Sequence, residues 1–346
     1  MYIKIDLLNL NESLNFLSIF WDGKKKYQNI VHFKVDANTL NLYYDTEISS
    51  ISDKLYCTSN EIGNFSIDGT ILLNLTKGLN DSSAISLNVT DDRLEITSDN
   101  YSYSIPLIKE NEKNKQYYGT GTLKTDLRKA LDLISVLSYK RNTPVYFSSD
   151  SEGSYISITD GYRFTRVKFS QSSVLKYNVS IPKYQLDRIA RSNMRYISSE
   201  ESSIIFCNGG KLIISNILSN KFPDHNNLIN RINDNYTLID KNILLDAISR
   251  VGSLASDSFI TLNITSERLT IGFSSEVGTL KENLICKSNF ESIQFKLDYD
   301  SFKNSIENVS TSSLIIRSSD SYSPLFVEYG VSLKVTDILM PLISVN

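Results

Sequence analysis

Three arginines, Arg188, Arg191 and Arg195, recur at spacings of three and four in the stretch "PKYQLDRIARSNMR" (182–195). On one short helix, at about 100° per residue, they fall within an arc of roughly 60°. Leu186, Ile189, Ala190 and Met194 fall on the opposite side, so the stretch is expected to bury its back and present guanidinium groups in front. Guanidinium is chemistry for anions, yet the chain carries a net charge of −3. Any basic surface must therefore be local.

Residues suited to bond-making chemistry are sparse. His32 and His225 are the only histidines; the first alternates within a strand pattern and the second follows "FPD" in a turn. Neither has neighbours at metal-ligand or catalytic-triad spacing. P-loop, GxGxxG and GxSxG patterns are absent from the sequence. Paired acids such as Asp91-Asp92 and Glu200-Glu201 sit at hairpin or loop positions, where solvated turns are the ordinary outcome. Cys57, Cys207 and Cys286 are odd in number, far apart and without CxxC spacing, which gives neither a disulfide framework nor a zinc site. The sequence thus points to a non-enzymatic protein with no cofactor and no metal. Its opening lacks the layout of a signal peptide, and no run approaches 18 apolar residues. A cytoplasmic protein without membrane association is expected, and the Asn-x-Ser/Thr triplets then reflect a Ser- and Asn-rich composition.

The elements that must position the arginines come from a repeat. "ESLNFLSIFWDGKKKYQNIVHFKV" (12–35), "LRKALDLISVLSYKRNTPVYFSSD" (127–150) and "LLDAISRVGSLASDSFITLNIT" (244–265) share a helix, a polar loop and a strand. Val31, Val145 and Ile260 mark equivalent strand positions at intervals of 114 and 115 residues. Each copy halves again, because a second helix and hairpin follow at 68–99, 182–215 and 298–329. "NVTDDRLEIT" (88–97) is similar to "NITSERLTIG" (263–272) across halves. The strands are rich in Ile, Val, Tyr, Phe and Thr between Asp, Asn, Gly and Ser turns. Half-units of roughly 57 residues exceed the usual solenoid repeat of about 20–45. An α+β fold is expected, with three similar domains (1–115, 116–234 and 235–346), each of two helix-plus-antiparallel-strand halves.

Four further stretches, "SITDGYRFTRVKF" (157–169), "SNKFPDH" (219–225), "SSEVGTLKENL" (274–284) and "DILMPLI" (337–343), occur in order at suitable intervals. Together with the threefold repeat, they make the chain resemble the bacterial sliding clamp, the beta subunit of DNA polymerase III, over essentially its whole length. The resemblance implies a head-to-tail homodimeric ring around double-stranded DNA, with helices inside, sheets outside and three domains per chain. Such a ring is a processivity factor that slides while tethering a polymerase. Its bore needs weak, sequence-independent positive charge rather than a tight phosphate grip. Arg188, Arg191 and Arg195 would face that bore. So would two loops at one position of the repeat, Lys24, Lys25 and Lys26 in the first and Lys140 with Arg141 in the second. Lys140 and Arg141 also suit a helix C-terminal dipole, and the third such loop has no basic residue.

The resemblance also implies a cleft for short peptides of the polymerase and the clamp loader. Thr159, Gly161, Tyr162, Arg163 and Phe164 would come from the "TDGYRF" hairpin, and Phe147 from the strand before it. Tyr299, Tyr322 and Pro324 would come from the third domain, and Ile338, Met340 and Pro341 from the terminal strand. Aromatic and aliphatic walls suit an extended apolar peptide, Met340 is adaptable, and Arg163 is expected as a polar anchor. Ordinary core packing is the competing reading for Phe147, Tyr299 and Ile338. The chain departs from the family at Met340-Pro341-Leu342-Ile343, at Asn230 where a proline often closes the cleft floor, and at Phe164 in place of leucine. Dimer contacts are expected through edge strands including "DRLEITSD" and "ERLTIGFS". The competing readings are a β-rich surface or virion structural protein, and a monomeric decoy with the same fold.

Overall fold

The computed structural model describes residues 1–23, 29–79, 84–98, 100–109, 122–123, 127–219, 229, 234–255, 259–276, 278–330 and 334–342. Lys24, Lys25, Lys26, His225 and Asn230 lie outside the described residues.

Among the described residues, six helices alternate with groups of strands: α1 (Leu7–Ser18), α2 (Gly69–Lys77), α3 (Leu127–Val136), α4 (Lys183–Arg191), α5 (Lys241–Ala255) and α6 (Tyr299–Glu307). The repeating half is longer than its sequence pattern showed. One strand precedes each helix and three follow it, with a further two-residue strand at Thr58–Ser59 and at Lys287–Ser288. The leading strand ends in an apolar residue and aspartate at Ile5-Asp6, Ile67-Asp68, Ile239-Asp240 and Leu297-Asp298. Each aspartate accepts a backbone N–H of the first helical turn: Asn9, Thr70 and Ile71, Ile243, and Ser301. A side-chain oxygen at that position replaces the missing partner of an orphan donor and contributes about 1 kcal/mol.

Leading strands are exchanged between the two halves of a repeat. Tyr2–Asp6 pairs with Ala84–Val89, and Gly63–Asp68 pairs with Ile30–Asp36. Tyr236–Asp240 pairs with Ser313–Arg317, and Ser292–Asp298 with Phe259–Thr265. These partners lie far apart in sequence, which is why the helix-then-hairpin pattern did not contain them.

The chain divides into two compact units, Met1–Lys124 with Arg188–Ile217, and Thr125–Asp187 with Leu218–Asn346. The division falls inside α4. The first unit holds a five-stranded and an eight-stranded sheet; the second holds a nine-stranded and a four-stranded sheet. In the eight-stranded sheet, Lys211–Asn216 joins Ser49–Tyr56 antiparallel, with Leu212 opposite Ser52. In the nine-stranded sheet, Arg163–Ser170 joins Val335–Leu339 antiparallel, with Arg163 opposite Leu339. In both, the last strand of one half meets the last strand of another.

Two last strands, Ser102–Pro106 and Gly278–Ile285, are left at sheet edges. This corrects the expected edges: Arg93–Thr97 and Arg268–Ser275 each have a neighbour on both sides, because a further strand follows each hairpin.

Alternation along the strands sets the buried face. Ile30–Asp36 and Thr39–Asp45 bury every second residue, as a sheet covered on one side requires. Helices supply the cover; Leu10, Leu14 and Leu17 of α1 are fully buried. Each such side chain contributes about 1.5–3 kcal/mol on leaving water.

Candidate functional site

The basic helix is shorter than its sequence stretch. α4 ends at Arg191; the Ser192 hydroxyl donates to Ile189 O at 2.7 Å, and Asn193 turns the chain with φ of +57°. Asparagine tolerates that left-handed conformation better than most residues, and the Asn208 amide holds it by donating to Asn193 O at 2.9 Å. Arg195 therefore lies beyond the helix, where its N–H donates to Cys207 O at 3.3 Å. Leu186, Ile189, Ala190 and Met194 are buried, as the pattern required.

The three arginines are not equivalent. Arg191 and Arg195 are exposed, whereas the Arg188 side chain is only 12% exposed. Its Nη2 lies 2.6 Å from Asp22 Oδ1 and its Nη1 donates to Phe20 O at 3.3 Å. Within the row seen in sequence, the Arg188 charge is already matched by a carboxylate. At the start of α4, Lys183 N–H donates to Thr143 O and Tyr184 N–H to Arg141 O, both at 2.9 Å. These bonds hold the 140–143 loop against the helix N-terminus. The Arg141 guanidinium lies over the Tyr184 ring at 5.0 Å, and Lys140 and Arg141 are exposed. Lys183, outside the expected set, is buried and bonded to Asp187 Oδ1 at 2.6 Å and to Ser135 O.

The residues expected at a peptide cleft all belong to the second unit. Asp160 Oδ1 accepts the N–H groups of Tyr162 and Arg163 at 3.0 and 2.9 Å, and Thr159 Oγ1 accepts that of Gly161 at 3.1 Å. Gly161 has φ of +95°, a conformation open to glycine but strained for other residues. The turn holds Tyr162 74% exposed, and Met340 N–H donates to Tyr162 O at 3.1 Å. Leu342 N–H donates to Lys296 O at 2.8 Å, which fixes the terminal segment beside the strand Ser292–Asp298. Between these parts lies a pocket of about 310 Å³. Tyr162 and Met340, both in the expected set, line it. Leu297, Leu339 and Leu342 add apolar wall, and Asp160, Asp298 and Ser301 add polar rim. Sequence reasoning missed these six; Leu297-Asp298 carries the apolar-aspartate signal that marks a helix start.

Other expected residues support the pocket without lining it. Phe164, Phe326 and Ile338 form a buried cluster against which Ile229 packs. Phe147, Tyr299, Pro324 and Pro341 are buried; the Tyr299 hydroxyl donates to Ile248 O at 3.3 Å. The core-packing reading therefore describes Phe147, Tyr299 and Ile338. Tyr322 is exposed on a turn whose N–H groups at Tyr322 and Ser323 bond Asp320 Oδ1. Hydrogen bonds from the Ser323 hydroxyl and the Tyr322 N–H hold the Asp320 carboxyl below its usual range.

Arg163 is not an exposed anchor. Its side chain is 3% exposed, with Nη2 3.4 Å from Oδ2 of the fully buried Asp337. Thr165 Oγ1 donates to Asp337 Oδ1, and the Tyr139 hydroxyl lies 3.1 Å from Thr165 Oγ1. Nη2 of Arg163 also reaches Asn304 O at 3.5 Å, and its guanidinium lies 5.4 Å from the Tyr139 ring centre. Burial pushes the Asp337 carboxyl up, with Arg163 and Thr165 opposing, and burial likewise raises the phenols of Tyr139 and Tyr329. The arginine ties the hairpin, the terminal strand and α6 together behind the pocket.

His32 has a structural partner, its Nδ1 lying 2.7 Å from Ser66 Oγ. The three cysteines are free thiols. Among the described residues, no group of three or more His, Cys, Asp or Glu is placed to hold a metal ion. No helix among them is long and apolar enough to cross a membrane.

No family model and no curated protein matches the chain. Solved structures do. The DNA polymerase III subunit beta of Pseudomonas aeruginosa is 17% identical with a TM-score of 0.84, over 99% of this chain and 100% of that one. The Helicobacter pylori beta clamp in complex with 3,4-difluorobenzamide is 18% identical with a TM-score of 0.85, over the same shares. A Helicobacter pylori beta clamp bound to a DNA ligase peptide is 18% identical with a TM-score of 0.79, again over 99% and 100%. Strand order, helix placement and these likenesses agree: over its whole length the chain has the fold of the bacterial DNA polymerase III beta sliding clamp.

Proposed function

We propose that the protein is a DNA sliding clamp, a homodimeric ring that encircles duplex DNA and tethers a polymerase and a clamp loader by their peptide motifs. The full-length likeness of fold to solved beta clamps carries this reading. It gives no support to a surface or virion structural protein. The likeness to a clamp bound to a DNA ligase peptide supports the pocket at Tyr162 and Met340 as the peptide cleft. Each chain would contribute three domains, 1–115, 116–234 and 235–346, and act without catalysis in the cytoplasm.

Sheet pairing supports the dimer. Last strands of the halves meet in pairs within the chain, except Ser102–Pro106 and Gly278–Ile285. An open edge is a template for another chain, and in a head-to-tail dimer each open edge would take the other edge of the partner. Ile285, 90% exposed at the end of one edge, would then leave water. Arg191, Arg195, Lys140 and Arg141 supply exposed cations for contact with phosphates that needs no registry. Sedimentation tests the assembly: a mass near twice 39.2 kDa is expected at micromolar concentration, and a monomer there would remove the ring.

A further inference from the structure

The framework around Tyr162 and Met340 recurs in the first unit. Lys54 N–H donates to Gly210 O at 3.2 Å, where Met340 N–H donates to Tyr162 O at 3.1 Å. Asp6 caps α1 by accepting from Asn9 N–H, and Asp298 caps α6 by accepting from Ser301 N–H, both at 2.8 Å. Hairpin turn, facing strand and helix N-terminus therefore correspond, and each set encloses a pocket, of about 280 Å³ in the first unit and about 310 Å³ in the second.

The two pockets have opposite chemistry. Leu339 and Met340 correspond to Asp53 and Lys54, and Arg163 corresponds to Lys211. Glu12, from the exposed side of α1, adds a second carboxylate. Asp53 lines the pocket although it is only 4% exposed, and burial pushes its carboxyl up against the pull of the Ser13 hydroxyl and Lys211. An apolar peptide placed here would strip water from Glu12, Lys54 and Lys211 without replacing it. Tyr56, 86% exposed on the rim, offers a ring face on which a guanidinium can stack.

We propose that this pocket is a second partner site, which takes a charged, extended segment of a protein. The segment sets a basic side chain against Glu12 and Asp53 and an acidic one against Lys54 and Lys211. The kind of occupant rests on the reading of the Tyr162–Met340 pocket as a peptide cleft; the charges rest on this pocket alone.

The test is a titration of the full-length, ¹⁵N-labelled protein with acetyl-Gly-Arg-Asp-Gly-amide, read at the amides of Lys54, Gly209 and Gly210. Saturating shifts at those amides are expected. Lys54→Glu, at an exposed position that leaves folding intact, should weaken the probe about two- to five-fold, the scale of one solvated ion pair. Replacing the probe's aspartate by lysine should restore affinity for that variant. No shift in the unaltered protein, equal affinity in Lys54→Glu, or shifts at Gly161 and Met340 instead would overturn the proposal. A leucine- and phenylalanine-bearing peptide is titrated separately and read at Tyr162 and Met340. Its failure to bind would remove the cleft reading, and leaves the probe's result at Gly210 separately readable.

Discussion

Replacing Asp22 by alanine should strengthen the hold of the protein on duplex DNA, although Asp22 belongs to no expected DNA contact. Asp22 Oδ1 lies 2.6 Å from Arg188 Nη2 and neutralises it in place, while Arg191 and Arg195 stand exposed. For B-DNA, the logarithm of the binding constant falls with the logarithm of salt by about 0.9 for each phosphate neutralised. Arg195→Ala should flatten that slope by about 0.9, and Arg188→Ala should leave it nearly unchanged. Asp22→Ala releases the Arg188 guanidinium and should steepen the slope by about 0.9, equal to about 3.5-fold in binding constant between 200 and 50 mM salt. Because the Asp22 side chain is 61% exposed, the substitution removes a solvated carboxylate rather than core. The assay is fluorescence anisotropy of a labelled duplex at a series of potassium chloride concentrations. Equal flattening by Arg188→Ala and Arg195→Ala, or an unchanged slope in Asp22→Ala, would refute the division of the arginine row.

Three other outcomes are expected. Met340→Asp places a charge in the apolar wall of the pocket and should reduce binding of an apolar peptide at least tenfold by calorimetry, with the sedimentation coefficient unchanged. Asp337→Ala leaves the buried Arg163 without its carboxylate and should cost about 3–5 kcal/mol in urea unfolding, whereas joint Arg163→Met and Asp337→Leu should be nearly neutral. Asp320, whose carboxyl is held low in the folded state, stabilises above its unfolded value of about 3.9, and that stability is lost as pH falls through the lower folded value. Asp320→Asn should therefore flatten the acid limb of a stability-against-pH curve.

The repeat and its helices were legible because apolar periodicity is local: α1, α3 and α5 fall within or beside the stretches that resemble one another. Leading strands were not, because a strand such as Tyr2–Asp6 declares itself only through Ala84–Val89, its partner far along the chain. The same limit hid the pairing of Arg188 with Asp22, since helix phase says which side a residue faces and nothing of what waits there. The burial of Arg163 was hidden for a related reason: Asp337 is brought beside it only by the terminal strand. In the pocket, Tyr162 and Met340 were recognisable from local motifs, while Leu297 and Ser301 entered through the fold. The second pocket is visible only when equivalent backbone bonds at Gly210 and Tyr162 are compared.

Topological linkage to DNA tests the central claim most directly. The protein is loaded on a singly nicked circular plasmid, passed through a gel-filtration column at about 0.15 M salt, and passed again after the plasmid is cut once. A ring stays with the circle and is lost from the linear form, because only a circle offers no end to slide from. Equal retention on both, or equal loss from both, would contradict an encircling clamp.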